Sequence, residues 1–182
     1  MIGWIILAVV LLVIFIIIGF YNKFVVLGNR IDNSLAQIDV QLRRRADLVP
    51  NLISTVKGFV KHERAMIEKV TEARKALVGA KDIVSKVKAG DKLQSALKSI
   101  FALAENYPNL KANENFLQLQ QELSAIEDKV AYSRQFYNDN ILDFNNSRKT
   151  FPGNVFASIF NVQSREFLKI PEASRAVPNV EF

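Results

Sequence analysis

Carboxylates and one histidine are the side chains with which this sequence could do chemistry. Asp139 and Asp143 stand four residues apart, and Glu122 and Glu127 precede them in the same polar stretch. That spacing puts two carboxylates on one helix face, as a hydrolase pairing an acid with a base would require. The same spacing is common on solvated helix faces and has no specificity without a pocket around it. A helical bundle could instead hold a di-metal centre, built from two Glu-x-x-His pairs and two further Glu residues. The chain has one histidine, His62, and Phe59 stands where the glutamate would have to be. With no cysteine, the usual zinc sites and thiol chemistry are also out of reach. His62, beside Glu63, reads as a helix-surface or helix-junction residue.

The nucleotide and acyl-transfer signatures are missing too. There is no P-loop, no dinucleotide glycine fingerprint and no nucleophile elbow. The expectation is therefore a chain that is not an enzyme. It has no catalytic, cofactor-binding or metal residues, no cofactor and no small-molecule substrate. A hydrolase using the helix carboxylates is the weaker alternative.

Stepping from side chains to elements, the first is an apolar run. Residues 1–22 carry no charged side chain, and Ile2 to Phe20 are almost wholly aliphatic or aromatic. Nineteen helical residues extend about 29 Å, close to the hydrocarbon thickness of a bilayer. Trp4 and Tyr21 sit at its two ends like interfacial anchors. A cleaved signal would need a basic start, a shorter apolar core and a small-residue cleavage site, and none is present. Residues 1–21 thus read as a retained transmembrane anchor contacting lipid through residues 2–20. Lys23 and Arg30 follow the run and no basic side chain precedes it, so the N-terminus is expected outside and the rest in the cytoplasm.

Beyond Tyr21, apolar residues recur at heptad spacing. One register is Leu35, Leu42, Val49, Val56, Glu63, Val70 and Leu77; its companion is Ile31, Ile38, Arg45, Leu52, Phe59, Met66, Ala73 and Ala80. Only Arg45 and Glu63 break the apolar pattern, which predicts one long helical seam. Pro50 falls inside it without shifting the phase. It therefore predicts a kink, or a restart capped by Asp47 with Pro50 in the first turn. A shorter helix is expected over 82–106, with Gly90-Asp91 as a possible interruption and Tyr107-Pro108 as its end. A last long helix starts after Asn113 and carries Phe116, Leu123, Val130, Tyr137, Phe144 and Phe151, with Pro152-Gly153-Asn154 as its stop. Its second register, Leu119, Ile126, Ser133, Asn140 and Ser147, is softer and suits a polar layer.

These elements predict an all-α fold: an N-terminal transmembrane helix, then an antiparallel bundle of three to four long helices over 22–151. Residues 152–182 form an aromatic-containing strap with a short helix at 154–160. Phe156, Phe160 and Phe167 either pack on the bundle or dock a partner or membrane.

The net charge of +6 raises nucleic acid as a partner, but Lys and Arg alternate with Asp and Glu instead of lining one face. No nucleic acid is expected. The most basic stretch, DVQLRRRADLVPNL from Asp39 to Leu52, does not make one patch, because successive helical residues turn by about 100°. Arg43 can pair with Asp39 and Asp47, while Arg45 points into the seam. There it needs an acidic partner, and the 113–151 helix, with six acidic against four basic side chains, could supply one. Arg45 is thus the candidate charge that specifies helix pairing.

The same stretch, with VKGFVKHE, ENYPNLKANENF, RQFYNDNILDFN, FPGN and the terminal RAVPNVEF, closely resembles the LemA family from Tyr21 to Phe182. Leu35 departs from it, standing where an aromatic is expected. The resemblance implies a single-pass protein of the bacterial or archaeal cytoplasmic membrane with a cytoplasmic antiparallel bundle and no established catalysis. It also implies a link to envelope stress and membrane protein quality control. The expected function is an adaptor or scaffold that engages a protein partner or a second copy; the alternative is a membrane-shaping or lipid-organising protein.

Overall fold

The structure is a computed structural model, and it describes residues 1–60 and 63–168. Among these residues six helices follow in order: α1 (Ile2–Lys57), α2 (Arg64–Gly79), α3 (Ile83–Ala104), α4 (Pro108–Lys111), α5 (Glu114–Lys149) and α6 (Gly153–Ile159). Among the described residues there is no strand. The fold is thus all-α, a long apolar N-terminal helix followed by helices that pack together. The start of α1 is apolar and long enough to cross a membrane, with a mean hydropathy of 3.2 over its best window, none of it buried.

The chain forms two units, Asp32–Phe136 and, separately, Met1–Ile31 with the described residues from Tyr137 onward. In the Asp32–Phe136 unit the long helices α1, α2, α3 and α5 alternate in direction along the chain. Arg74 of α2 reaches Ala46 of α1, while Leu77 and Val78 lie toward Asp39 and Leu42, so α1 and α2 are antiparallel. Lys86 pairs with Asp39 and Gly90 meets Arg45, so α3 runs with α1. Asp91 pairs with Arg134 and Lys98 with Glu127, so α5 runs against α3. The heptad seam builds this core: Ile38, Leu42, Val49, Leu52 and Val56 are almost completely buried, as are Val70, Leu93, Ile100 and Phe116. Burying such side chains is worth roughly 1.5–3 kcal/mol each, before the entropy of ordering them.

Pro50 neither breaks α1 nor begins a new helix, and Asp47 lies inside α1 as an exposed residue and not as a cap. Proline has no N–H to donate to the carbonyl four residues back, which is Ala46. The Arg74 Nε donates to that carbonyl at 2.8 Å and takes the missing donor's place. The break comes after Lys57, where the continuous register predicts helix. Gly58, Phe59 and Val60 turn back on the carbonyls of Thr55 and Val56. Phe59 is exposed there, whereas Val60, outside both registers, is buried.

Gly90 does not interrupt α3. A Cβ at this position would lie 2.7 Å from Leu42 Cδ2, so the glycine serves the close approach of α3 to α1. Asp82 caps α3, accepting from the Ser85 N–H at 2.9 Å. The Asn113 side chain does the same for the Phe116 N–H at 3.0 Å, as the sequence predicts for the start of α5.

In the second unit α5 runs antiparallel to α1, with the Phe24 and Phe144 rings 6.1 Å apart and α6 returning to Phe20. Phe151 leaves the seam, at 83% exposed. It precedes Pro152, which disfavours helical geometry at the residue before it, so α5 ends at Lys149. The turn into α6 is tight enough that a Cβ on Gly153 would meet the Ser147 carbonyl oxygen at 2.0 Å.

Candidate functional site

Arg45 is 1% exposed, the largest fully buried side chain among the described residues. Its Nη1 donates to the Gly90 carbonyl over a long 3.5 Å, and its Nη2 has no hydrogen-bond partner. Desolvation lowers its pKa, and the negative charge of Glu127 opposes that most. Arg45 and Glu127 line a cavity of about 190 Å³ with Gln94, Lys98 and Gln120. An acidic group of α5 therefore faces Arg45, but its ion pair, at 3.6 Å, is with Lys98. A buried guanidinium with so few partners adds little net stability.

Asp39 is the better-connected charge. It accepts from Lys86 at 2.5 Å across to α3 and from Arg43 at 3.1 Å along α1, while among the described residues Arg43 makes no pair with Asp47. The Lys86 hydrogen bond holds the carboxyl below its usual 3.8; partial burial opposes this, and the Lys86 and Arg43 charges reinforce it. A folded-state pKa below the unfolded one stabilises the fold above the ordinary carboxylate range, and the contribution fades as pH falls through the lowered value.

The tail is held by residues that heptad reading passes over. α6 ends in a Schellman motif, with Asn161 at φ 50° and the Val162 and Asn161 N–H groups donating to Ala157 and Ser158 carbonyls. The chain then extends along α5. The Asn145 amide donates to the Arg165 carbonyl at 2.9 Å and accepts its N–H at 3.1 Å. Asn138 does the same for Leu168, at 3.2 and 3.0 Å. Each carboxamide replaces the peptide group of a neighbouring strand. The registers match, because seven helical residues and three extended ones both advance about 10 Å. Arg148 and Tyr137 add bonds to the Val162 and Glu166 carbonyls.

Of the aromatic candidates, Phe156 stacks on Phe20 at 4.7 Å and Phe160 meets Tyr21 edge-on at 5.4 Å. Phe167 is 52% exposed. His62, Phe182 and the terminal RAVPNVEF lie outside the described residues. Asp139, Asp143 and Glu122 stand exposed on α5. Among the described residues no three His, Cys, Asp or Glu side chains are grouped to hold a metal ion. Sequence reading missed Tyr132 and Phe136, a parallel stacked pair 6.4 Å apart on the surface of α5. The signal was two aromatics at i, i+4 off the seam of an otherwise polar helix.

Two expectations follow. Asp39→Asn should lower stability by about 1 kcal/mol at neutral pH. Urea unfolding should show the variant and parent converging in strong acid; a gap that persists there contradicts the linkage. Replacing Asn138 and Asn145 together by Leu should release the strap, raising the rate of tryptic cleavage after Arg165 about tenfold. An unchanged rate would mean that other contacts hold it.

Comparison with known proteins agrees with this architecture. The profile of the LemA family matches residues 34–182. Protein LemA of Metamycoplasma hominis is 25% identical over 162 residues, covering 88% of this chain and 74% of that protein. With the profile spanning most of its length, from the seam of α1 through α5 and the strap, the chain belongs to the LemA family.

Proposed function

We propose that this protein is a non-enzymatic, membrane-anchored adaptor or scaffold. Residues 2–20 hold it in the bacterial or archaeal cytoplasmic membrane with the N-terminus outside, a polarity that rests on Lys23 and Arg30. The helices beyond Tyr21 then offer their surface to a cytoplasmic protein, in keeping with the envelope-stress and membrane quality-control setting implied by the family resemblance.

The observation that supports this reading best is the Tyr132–Phe136 pair. Tyr132 is 69% exposed, and the two rings lie parallel on the outside of α5. Large aromatics presented by a rigid helix lose little entropy on binding and are frequent anchors of protein interfaces. The alternative, a lipid-organising protein, draws on the exposed apolar side chains of α6 and its flank.

The adaptor reading is tested by a photo-crosslinking amino acid at position 132 in intact cells. It should give a discrete adduct with a membrane protease, a chaperone or a second copy, weakened about tenfold by Phe136→Ala. Absence of any discrete protein adduct, with the membrane preserved, would rule it out.

A further inference from the structure

The aromatic contacts of α6 fix its level along α1. Phe156 stacks on Phe20 at 4.7 Å, and Phe160 touches Tyr21 at 5.4 Å. These partners lie in the last turn before Lys23, the first charged side chain of the chain. Where the span leaves the bilayer, α6 is therefore packed against it.

α6 carries three kinds of surface. Gly153, Phe156, Ala157 and Phe160 face protein and are buried or half-buried. Asn154 and Ser158 are exposed and polar, and they border a concavity with Arg148 and Lys149. Val155 and Ile159 form a separate strip and are 47% and 66% exposed, with Phe151 beside the helix at 83%. An apolar strip next to a polar one, on a helix whose third side is already packed, is the pattern of an element lying at a membrane surface.

We propose that α6 and Phe151 form an interfacial foot. Phe151, Val155 and Ile159 enter the boundary between headgroups and acyl chains beside the exit of α1, and Asn154 and Ser158 face water. The occupant of this strip is lipid and not a second protein, because the strip continues the lipid-facing surface of the span. Val25 and Val26 extend the exposed apolar surface one turn further along α1. Cations stand at the same level: Lys149 precedes the foot in sequence, and the Lys23 ammonium lies 6.0 Å from the centre of the Phe20 ring, so both can meet lipid phosphates. The foot gives the anchor a second contact that opposes rotation and tilt of α1. The inference rests on residues 2–20 being a membrane span.

The absence of cysteine makes the test direct. Single cysteines at Phe151, Val155, Ile159, Ser158 and, within the span, Leu11 are labelled with an environment-sensitive fluorophore. The full chain is then placed as one copy per nanodisc of mixed zwitterionic and anionic lipid. Labels at 155 and 159 should emit to the blue of that at 158, and lipid spin labels near the headgroup should quench them. Aqueous iodide should quench them at least about threefold less than at 158. The label at 11 should respond to spin labels deep in the acyl chains. If 155 and 159 are as accessible to iodide as 158 while 11 reports hydrocarbon, the foot is wrong and the anchor stands. If 11 is also accessible, the anchor reading fails and the foot with it. Shielding at 155 and 159 that appears only with two copies per disc assigns the strip to self-association and overturns the proposal.

Discussion

The hydrogen bond from Arg74 to the Ala46 carbonyl is the contact on which α1 depends. Pro50 leaves that carbonyl without its helical donor at a part-buried position beside the core, where an unpaired backbone oxygen is costly. α2 carries the replacement, so the bond that repairs α1 also docks α2 against it. With the ladder repaired, the seam continues through Val49, Leu52 and Val56, all of them buried. One uninterrupted helix then supplies both the apolar N-terminal run and a wall of the Asp32–Phe136 core.

The same logic recurs where the chain leaves regular structure. Among the described residues the strap has no partner strand, and the Asn138 and Asn145 carboxamides supply both halves of the missing ladder at Leu168 and Arg165. α6 ends with its last carbonyls taken by a left-handed turn at Asn161. In each case a side chain or a turn supplies what the backbone lacks, so segments too short to bury much apolar surface still hold a defined path. Arg45 is the counter-example. It is buried with one long hydrogen bond and an unpartnered Nη2, so its desolvation is only partly compensated.

Most of the architecture was legible in the sequence. Heptad spacing identified Leu42, Val49, Val56, Phe116, Leu123, Val130 and Phe144 as core, because burial on a helix is periodic and a repeated pattern averages out exceptions. Asn113 read as a cap because capping is local. The errors were at positions whose outcome depends on distant groups. Pro50 predicted a kink or a capped restart because its rescuer lies on another helix, and the break after Lys57 moved burial from Phe59 to Val60. Gly90 looked like a weak point because the Leu42 side chain that requires it is 48 residues away. Asn138 and Asn145 are seven apart, but an asparagine on a helix carries no mark of the backbone it will bind. Phe151 kept heptad phase although the following proline had already turned the chain away.

The central claim is that α2 repairs α1 at Pro50. A double-mutant cycle between Arg74→Met and Pro50→Ala, read by urea unfolding of the full chain in detergent, tests it most directly. Alanine at position 50 restores an N–H that can donate to Ala46. Arg74→Met should therefore cost about 1–3 kcal/mol with proline present and clearly less with alanine, giving a coupling above about 0.5 kcal/mol. An equal loss in both backgrounds would contradict the account, since Arg74 would then be acting on something other than the carbonyl that Pro50 leaves open.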